Sequence, residues 1–239
     1  MMEGRRADRI QLIDAVRGLC VIMMVIHHLL YDLVVLLDAP EWLFTNPVFD
    51  FLHYIFAGLF ILLSGVSSRF SRSNVKRGIK VIVAALAITG ITYLIDMPIY
   101  FGVLHFLGFS MVFYGLTEKL LNKIPGTAAP FIYVFLLIVS VVAVRNLNTE
   151  SKYLWMLGIT HPDFYSADYF PIFPWVFVFL FGTWLGKYIK DRRFPKWFYA
   201  AAPPVLPSIG RKAFIIYLVH QPVLFGIIYG VAKLLDINR

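Results

Sequence analysis

One apolar stretch, DAVRGLCVIMMVIHHLLYD from Asp14 to Asp32, carries side chains able to do chemistry where a membrane segment ordinarily has none. An α-helix turns about 100° per residue, so Arg17 and His28, eleven positions apart, fall within roughly 20° of one face, about 16–17 Å apart in rise. Asp14, Val21 and Asp32 lie on the same face, and His27 points away from it. A carboxylate one turn beyond an imidazole accepts its N–H, fixes the tautomer and raises the basicity of the other nitrogen. His28 with Asp32 therefore reads as a general base with its orienting group. Arg17 is a fixed cation that suits a phosphate, or an i,i+3 ion pair with Asp14. Ionisable groups at membrane depth are costly and mark functional sites by default.

The elements that must position this row are membrane helices. The chain has 239 residues, 59% hydrophobic and only 15% charged, with a mean hydropathy of +0.74. That is more apolar surface than a soluble core of this size hides. Seven stretches approach the length needed to cross the hydrocarbon as helices: 10–37, 49–67, 79–95, 101–121, 128–144, 171–189 and 212–235. The expected fold class is all-α, a polytopic membrane helix bundle of about seven transmembrane helices, built as a single integral-membrane domain over 1–239. With the N-terminus cytoplasmic and the C-terminus outside, seventeen of the twenty-two Lys and Arg fall in inner segments. Four (Arg145, Lys152, Lys233, Arg239) fall outside, and Arg17 is within the first helix. This bias is a topology signal, so the net charge of +8 points to anionic lipid headgroups and not to nucleic acid. The lone Cys20 rules out a disulfide framework.

Other groups along the chain stand as candidates with two readings each. Gly58, Ser64, Gly65 and Ser67 in the second helix form a small-residue stripe, read either as close helix packing or as Ser64 lining the site. His105, one turn into the fourth helix, is either a hydrogen-bonded buried histidine or part of the site. The fifth helix has no polar handle and reads as scaffold. The outer loop 145–170 interleaves Trp155, Tyr165 and Tyr169 with Asp163 and Asp168, either as an interfacial belt or as a platform on which sugar rings stack. Pro222 in YLVHQPV should kink the last helix near Leu218, and His220 and Gln221 either resatisfy that backbone or join the site.

Walker, GxGxxG, HExxH and GxSxG motifs are absent, and the scattered histidines argue against a metal or a haem. The blocks IDAVRGLCVIMMVIHHLLYD, GLFILLSGVSS, GVLHFLGFS, DYFPIFPW and IGRKAFIIYLVHQPV, in that order, resemble the bacterial branch of the heparan-alpha-glucosaminide N-acetyltransferase catalytic-domain family. That family is related to the broader membrane acyltransferases, whose first-helix arginine and histidine correspond here to Arg17 and His28. The resemblance implies an enzyme of the bacterial inner membrane that moves an acetyl group from cytoplasmic acetyl-CoA to an amine or hydroxyl of an envelope glycan or another small polar acceptor. On that reading His28, Asp32 and His105 are the catalytic candidates. Asp14, Arg17 and Ser64 meet the acyl-CoA, and Asp168, Tyr169, His220 and Gln221 meet the acceptor. A homodimer is open on sequence grounds. The competing class is a transporter or flippase, which also shows polar stripes and broken helices, though no internal repeat supports it.

Overall fold

The structure is a computed structural model that describes residues 9–147, 149–201 and 203–235. Arg5, Arg6 and Arg239, used in the charge count, lie outside the described residues. Among the described residues the chain is all-α: α1 Gln11–Leu37, α2 Pro47–Ser68, α3 Asn74–Tyr93, α4 Val103–Leu121, α5 Ala129–Asn146, α6 Ile172–Lys190, α7 Lys196–Ala200, α8 Leu206–Arg211 and α9 Ala213–Leu234. Short 3-10 turns occur at Glu41–Leu43 and Trp155–Leu157. A helix stands at each of the seven expected stretches. Five segments among the described residues are long and apolar enough to cross a membrane: Gln11–Leu37, Glu41–Ser68, Ala129–Asn146, Ile172–Lys190 and Ala213–Leu234. Missing from that set are α3, which opens with Lys76, Arg77 and Lys80, and α4, which carries His105, Glu118 and Lys119.

The chain forms two compact units, Met1–Phe60 with Phe194–Arg239, and Ile61–Arg193, the division falling inside α2. In the first, α1 is the axis. A Cβ on Gly18 would strike the carbonyl of Leu206, and one on Gly210 would strike the carbonyl of Asp14. Glycine at both positions is what lets α8 cross α1 backbone against backbone. From that crossing α9 follows α1 in the same chain direction. α1 ends at Asp38, whose left-handed φ of 50° aims its N–H at the Leu33 carbonyl, a conformation Asp tolerates better than most residues. The turn Glu41–Leu43 then doubles back along α1, so that the Phe44 ring meets both Tyr31 and His27, at 5.2 and 4.9 Å between centroids.

In the second unit α3 and α4 meet across Gly78 and Gly108, where a Cβ would stand 2.7 Å from the Gly108 carbonyl oxygen and 2.6 Å from Ile82, respectively. Gly65 of α2 lies against the Phe179 carbonyl of α6, and Gly182 of α6 against the Leu62 carbonyl. Gly65 of α2 thus serves close packing, and α5 packs on α6 with Phe131 and Phe135 exposed. At the head of α6, Phe173 is extended (φ −99°, ψ 133°), as the residue before Pro174 prefers. Pro222, by contrast, is carried inside α9, which runs unbroken from Ala213 to Leu234.

Candidate functional site

The first unit brings six of the sequence candidates together on α1 and α9. Gly18 and Gly210 mark the crossing, His28 lies ten residues beyond the one and His220 ten beyond the other. Two helices rising equally from a common point bring these rings side by side. Their centroids are 4.8 Å apart, edge to face.

The hydrogen bonds fix the protonation pattern of both rings. His28 Nδ1 lies 2.9 Å from the Met24 carbonyl and His220 Nδ1 lies 2.8 Å from the Tyr217 carbonyl. A carbonyl only accepts, so each Nδ1 carries the proton and donates, and in the neutral ring each Nε2 presents a lone pair. The expected bond from His28 to Asp32 is therefore replaced by one to Met24. The cause is helix geometry: side chains lean toward the helix N-terminus, so His28 reaches the carbonyl of the preceding turn and not the carboxylate of the next.

Asp32 is engaged elsewhere. It is 1% exposed, and its Oδ1 accepts a hydrogen bond from Gln221 Nε2 at 2.8 Å, joining α1 to α9. That bond orients the amide, so Gln221 Oε1 is the acceptor that remains. Asp32 Oδ2, Gln221 Oε1 and His220 Nε2 are all buried without a hydrogen-bond partner. They form a group of acceptors, and a molecule that satisfies them must bring donors.

Near the start of α1, Arg17 Nη1 contacts Asp14 Oδ1 at 2.6 Å, and Arg9 Nε lies 3.8 Å from Asp14 Oδ2. The i,i+3 ion pair is thus present. The three groups still sum to one positive charge, which favours an anion at this end of the helix.

The remaining four candidates belong to the second unit. Ser64 is buried on α2, where its carbonyl accepts from the Ser68 hydroxyl at 3.0 Å. His105 is buried, with Nε2 3.0 Å from the Thr89 hydroxyl. Asp168 Oδ2 accepts the Val103 N–H at 3.0 Å, capping α4, whose own N-cap, Gly102, has no side chain to do so. Tyr169 donates its hydroxyl to the Trp155 carbonyl, and burial pushes its phenol up to about 12. The stretch is stitched down further by Ala167 N–H to Pro98 O at 3.1 Å and by Phe170 N–H to Phe101 O at 2.8 Å. Asp168 and Tyr169 thus hold the connector folded on its own unit.

Two features went unread in the sequence. His53 stacks on His27 at 4.2 Å with an interplanar angle of 28°. His27 is ten residues from the end of α1 and His53 six from the start of α2, about 15 and 9 Å of rise. The doubling back of Phe44 along α1 closes that difference, and no local sequence signal marks it. The second is Arg69, counted only as a topology charge. Its guanidinium donates to the Thr183 carbonyl at 2.9 Å, Glu118 at 3.3 Å and Asn122 at 2.8 Å.

Residues 9–222 match the family described as heparan-alpha-glucosaminide N-acetyltransferase, catalytic. The chain belongs to this family. The match spans α1 through Pro222 of α9, and so includes every candidate residue named above. No curated protein and no solved structure matches the chain. Family membership and apolar helices together make this a membrane protein of the acetyltransferase class.

Proposed function

We propose that the chain is a single-domain membrane acetyltransferase with seven crossings, its N-terminus in the cytoplasm and its C-terminus outside, resident in a bacterial inner membrane. It takes an acetyl group from cytoplasmic acetyl-CoA and transfers it to an amine or hydroxyl of an envelope glycan or similar acceptor. The observation that carries this reading is the pairing of His28 and His220 beside the buried acceptors of Asp32 and Gln221, within a chain of this family.

Each step is assigned to a side chain. The Arg9–Asp14–Arg17 group, with its one net positive charge, attracts the phosphates of CoA. Met24 holds His28 in the tautomer that leaves Nε2 basic, and His28 takes the proton from the acceptor as it attacks the thioester carbonyl. Asp32 Oδ2, Gln221 Oε1 and His220 Nε2 receive the N–H or O–H donors of the acceptor. An acceptor-only lining of this kind favours amino and hydroxyl groups over carboxylates or phosphates, which bring no donors.

The test is thermal stabilisation of the detergent-purified protein by acetyl-CoA. A ligand at a hundredfold excess over its Kd adds about 2.7 kcal/mol to apparent stability. Acetyl-CoA should raise the melting temperature of the wild type, and Arg17→Ala should reduce that rise. If acetyl-CoA at saturating concentration shifts nothing, the donor assignment fails and transport of a small polar solute becomes the better reading of the same acceptor-lined site.

A further inference from the structure

The crossing of α8 over α1 brings two further cations to the level of the Arg9–Asp14–Arg17 group. The Leu206 carbonyl lies against Gly18, and Gly210, four residues on, lies against the Asp14 carbonyl, four residues back. α8 therefore runs toward the N-terminus of α1, and Arg211 and Lys212 follow Gly210 at the turn that carries Asp14 and Arg17. Successive Cα atoms are about 3.8 Å apart, so both side chains leave the backbone within one or two residues of that contact. Both are exposed. Arg211 Nη2 donates to Ser208 Oγ at 2.8 Å, which holds the guanidinium along α8 and leaves its other N–H donors for a ligand. A cation that capped α8 would instead meet the carbonyls of its last turn. Acids are scarce at this end of the unit. Among the described residues from Phe194 to Leu235 there is none, and on α1 the next acid after Asp14 is Asp32, about 27 Å of rise away.

We propose that Arg211 and Lys212 bind the ribose 3′-phosphate of CoA, so that the enzyme selects CoA thioesters over 3′-dephospho-CoA thioesters. The inference rests on the acetyl-CoA reading of the Arg9–Asp14–Arg17 group and divides the phosphates of the nucleotide between two sets of cations. A phosphomonoester carries about −1.5 to −2 charges at neutral pH and offers three acceptor oxygens. Each phosphate of the 5′-diphosphate is esterified or bridged on both sides and carries less. The arginines of the first set already meet Asp14, and their small net charge suits the diphosphate. Arg211 and Lys212 bring positive charge without an acid beside them in sequence, and suit the monoester. The guanidinium fork takes two phosphate oxygens side by side, and the ammonium adds a point charge. Both phosphate groups leave one ribose, so the two sets of cations must stand at one level, as the α1–α8 crossing places them. A topology signal requires only that cations lie on the inner side. It requires neither this level nor the bond to Ser208.

The experiment titrates the detergent-purified protein with CoA and with 3′-dephospho-CoA and follows the melting temperature, which rises with the ratio of ligand concentration to Kd. It needs no acceptor. Wild type, Arg211→Ala, Lys212→Ala and Lys233→Ala are compared, the last removing a charge from the far end of α9. The wild type should bind CoA about tenfold more tightly than 3′-dephospho-CoA. Arg211→Ala should lose most of that preference by weakening CoA alone, Lys212→Ala should lose part of it, and Lys233→Ala should keep it. Arg211 and Lys212 are exposed, so the melting temperature without ligand should stay near wild type. A preference that survives in both variants would overturn the proposal, and so would a loss of affinity equal for the two ligands. Variants that change only the stabilisation by phosphatidylglycerol vesicles would give these cations to the lipid surface, which also overturns it. A wild type that neither CoA nor 3′-dephospho-CoA stabilises fails at the acetyl-CoA reading itself. A wild type that binds both equally fails only here.

Discussion

The two units treat buried polar atoms differently. In the first, His27 Nδ1, Asp32 Oδ2, His220 Nε2 and Gln221 Oε1 are buried without hydrogen-bond partners, all on α1 and α9. In the second, Asn74 Oδ1 and Ser110 Oγ are the unpartnered atoms among the described residues, while its charged and hydrogen-bonding groups are largely tied to one another. Arg69 joins Glu118, Asn122 and Thr183, His105 meets Thr89, and Asp168 caps α4. A buried acceptor left unsatisfied costs about 1–3 kcal/mol. A fold that tolerates several in one neighbourhood keeps them for a ligand, and a fold that satisfies them is building a frame. On the proposed reading, the contrast places the chemistry in the first unit and the supporting frame in the second.

The largest effect should come from the chemistry. His28→Ala should lower acetyl transfer by about a hundredfold or more and leave the melting temperature near wild type. His105→Ala should do the reverse, keeping transfer and losing about 1 kcal/mol of stability with the Thr89 hydrogen bond. Equal loss of transfer at both histidines would bring the second unit into the reaction and break the comparison. Next in size, Gly210→Val forces a side chain onto the Asp14 carbonyl and should cost about 1–3 kcal/mol. Its increased hydrogen exchange should be concentrated in α1, α8 and α9, and uniform loosening of α3 to α6 would count against separate units. The smallest effect belongs to Asp168→Ala, which uncaps α4 and should cost about 0.5–2 kcal/mol with little change in transfer rate. A selective rise in the KM for the acceptor would return Asp168 to substrate binding.

Much of this was legible in sequence where the signal is local. Apolar run length located a helix at each of the seven stretches, because in lipid a backbone has few other ways to satisfy its hydrogen bonds. Helical periodicity put Arg17, His28 and Asp32 on one face for the same reason. What failed was the bond between His28 and Asp32: spacing reports which residues share a face, while the lean of the Cα–Cβ bond decides which neighbour each one reaches. The partners His220 and Gln221 depended on a crossing between Gly18 and Gly210, a register visible only when both helices are in hand. In the outer loop, the sequence named Asp168 and Tyr169 but not the contacts that loop closure gives them, on the N-terminus of α4 and on the Trp155 carbonyl.

The Asp32–Gln221 hydrogen bond spans 189 positions of sequence, and that span is also an interval of time. At a synthesis rate of about 5–20 residues per second, Asp32 leaves the ribosome roughly ten to forty seconds before Gln221 is made. Throughout that interval the nascent chain holds α1 with a carboxylate at membrane depth and no amide to meet it. Only when α9 arrives is the carboxylate matched, so completion of the site reports that the matching helix has been delivered. A chain stalled before α9 would hold Asp32 in its first helix without the amide that meets it in the finished fold.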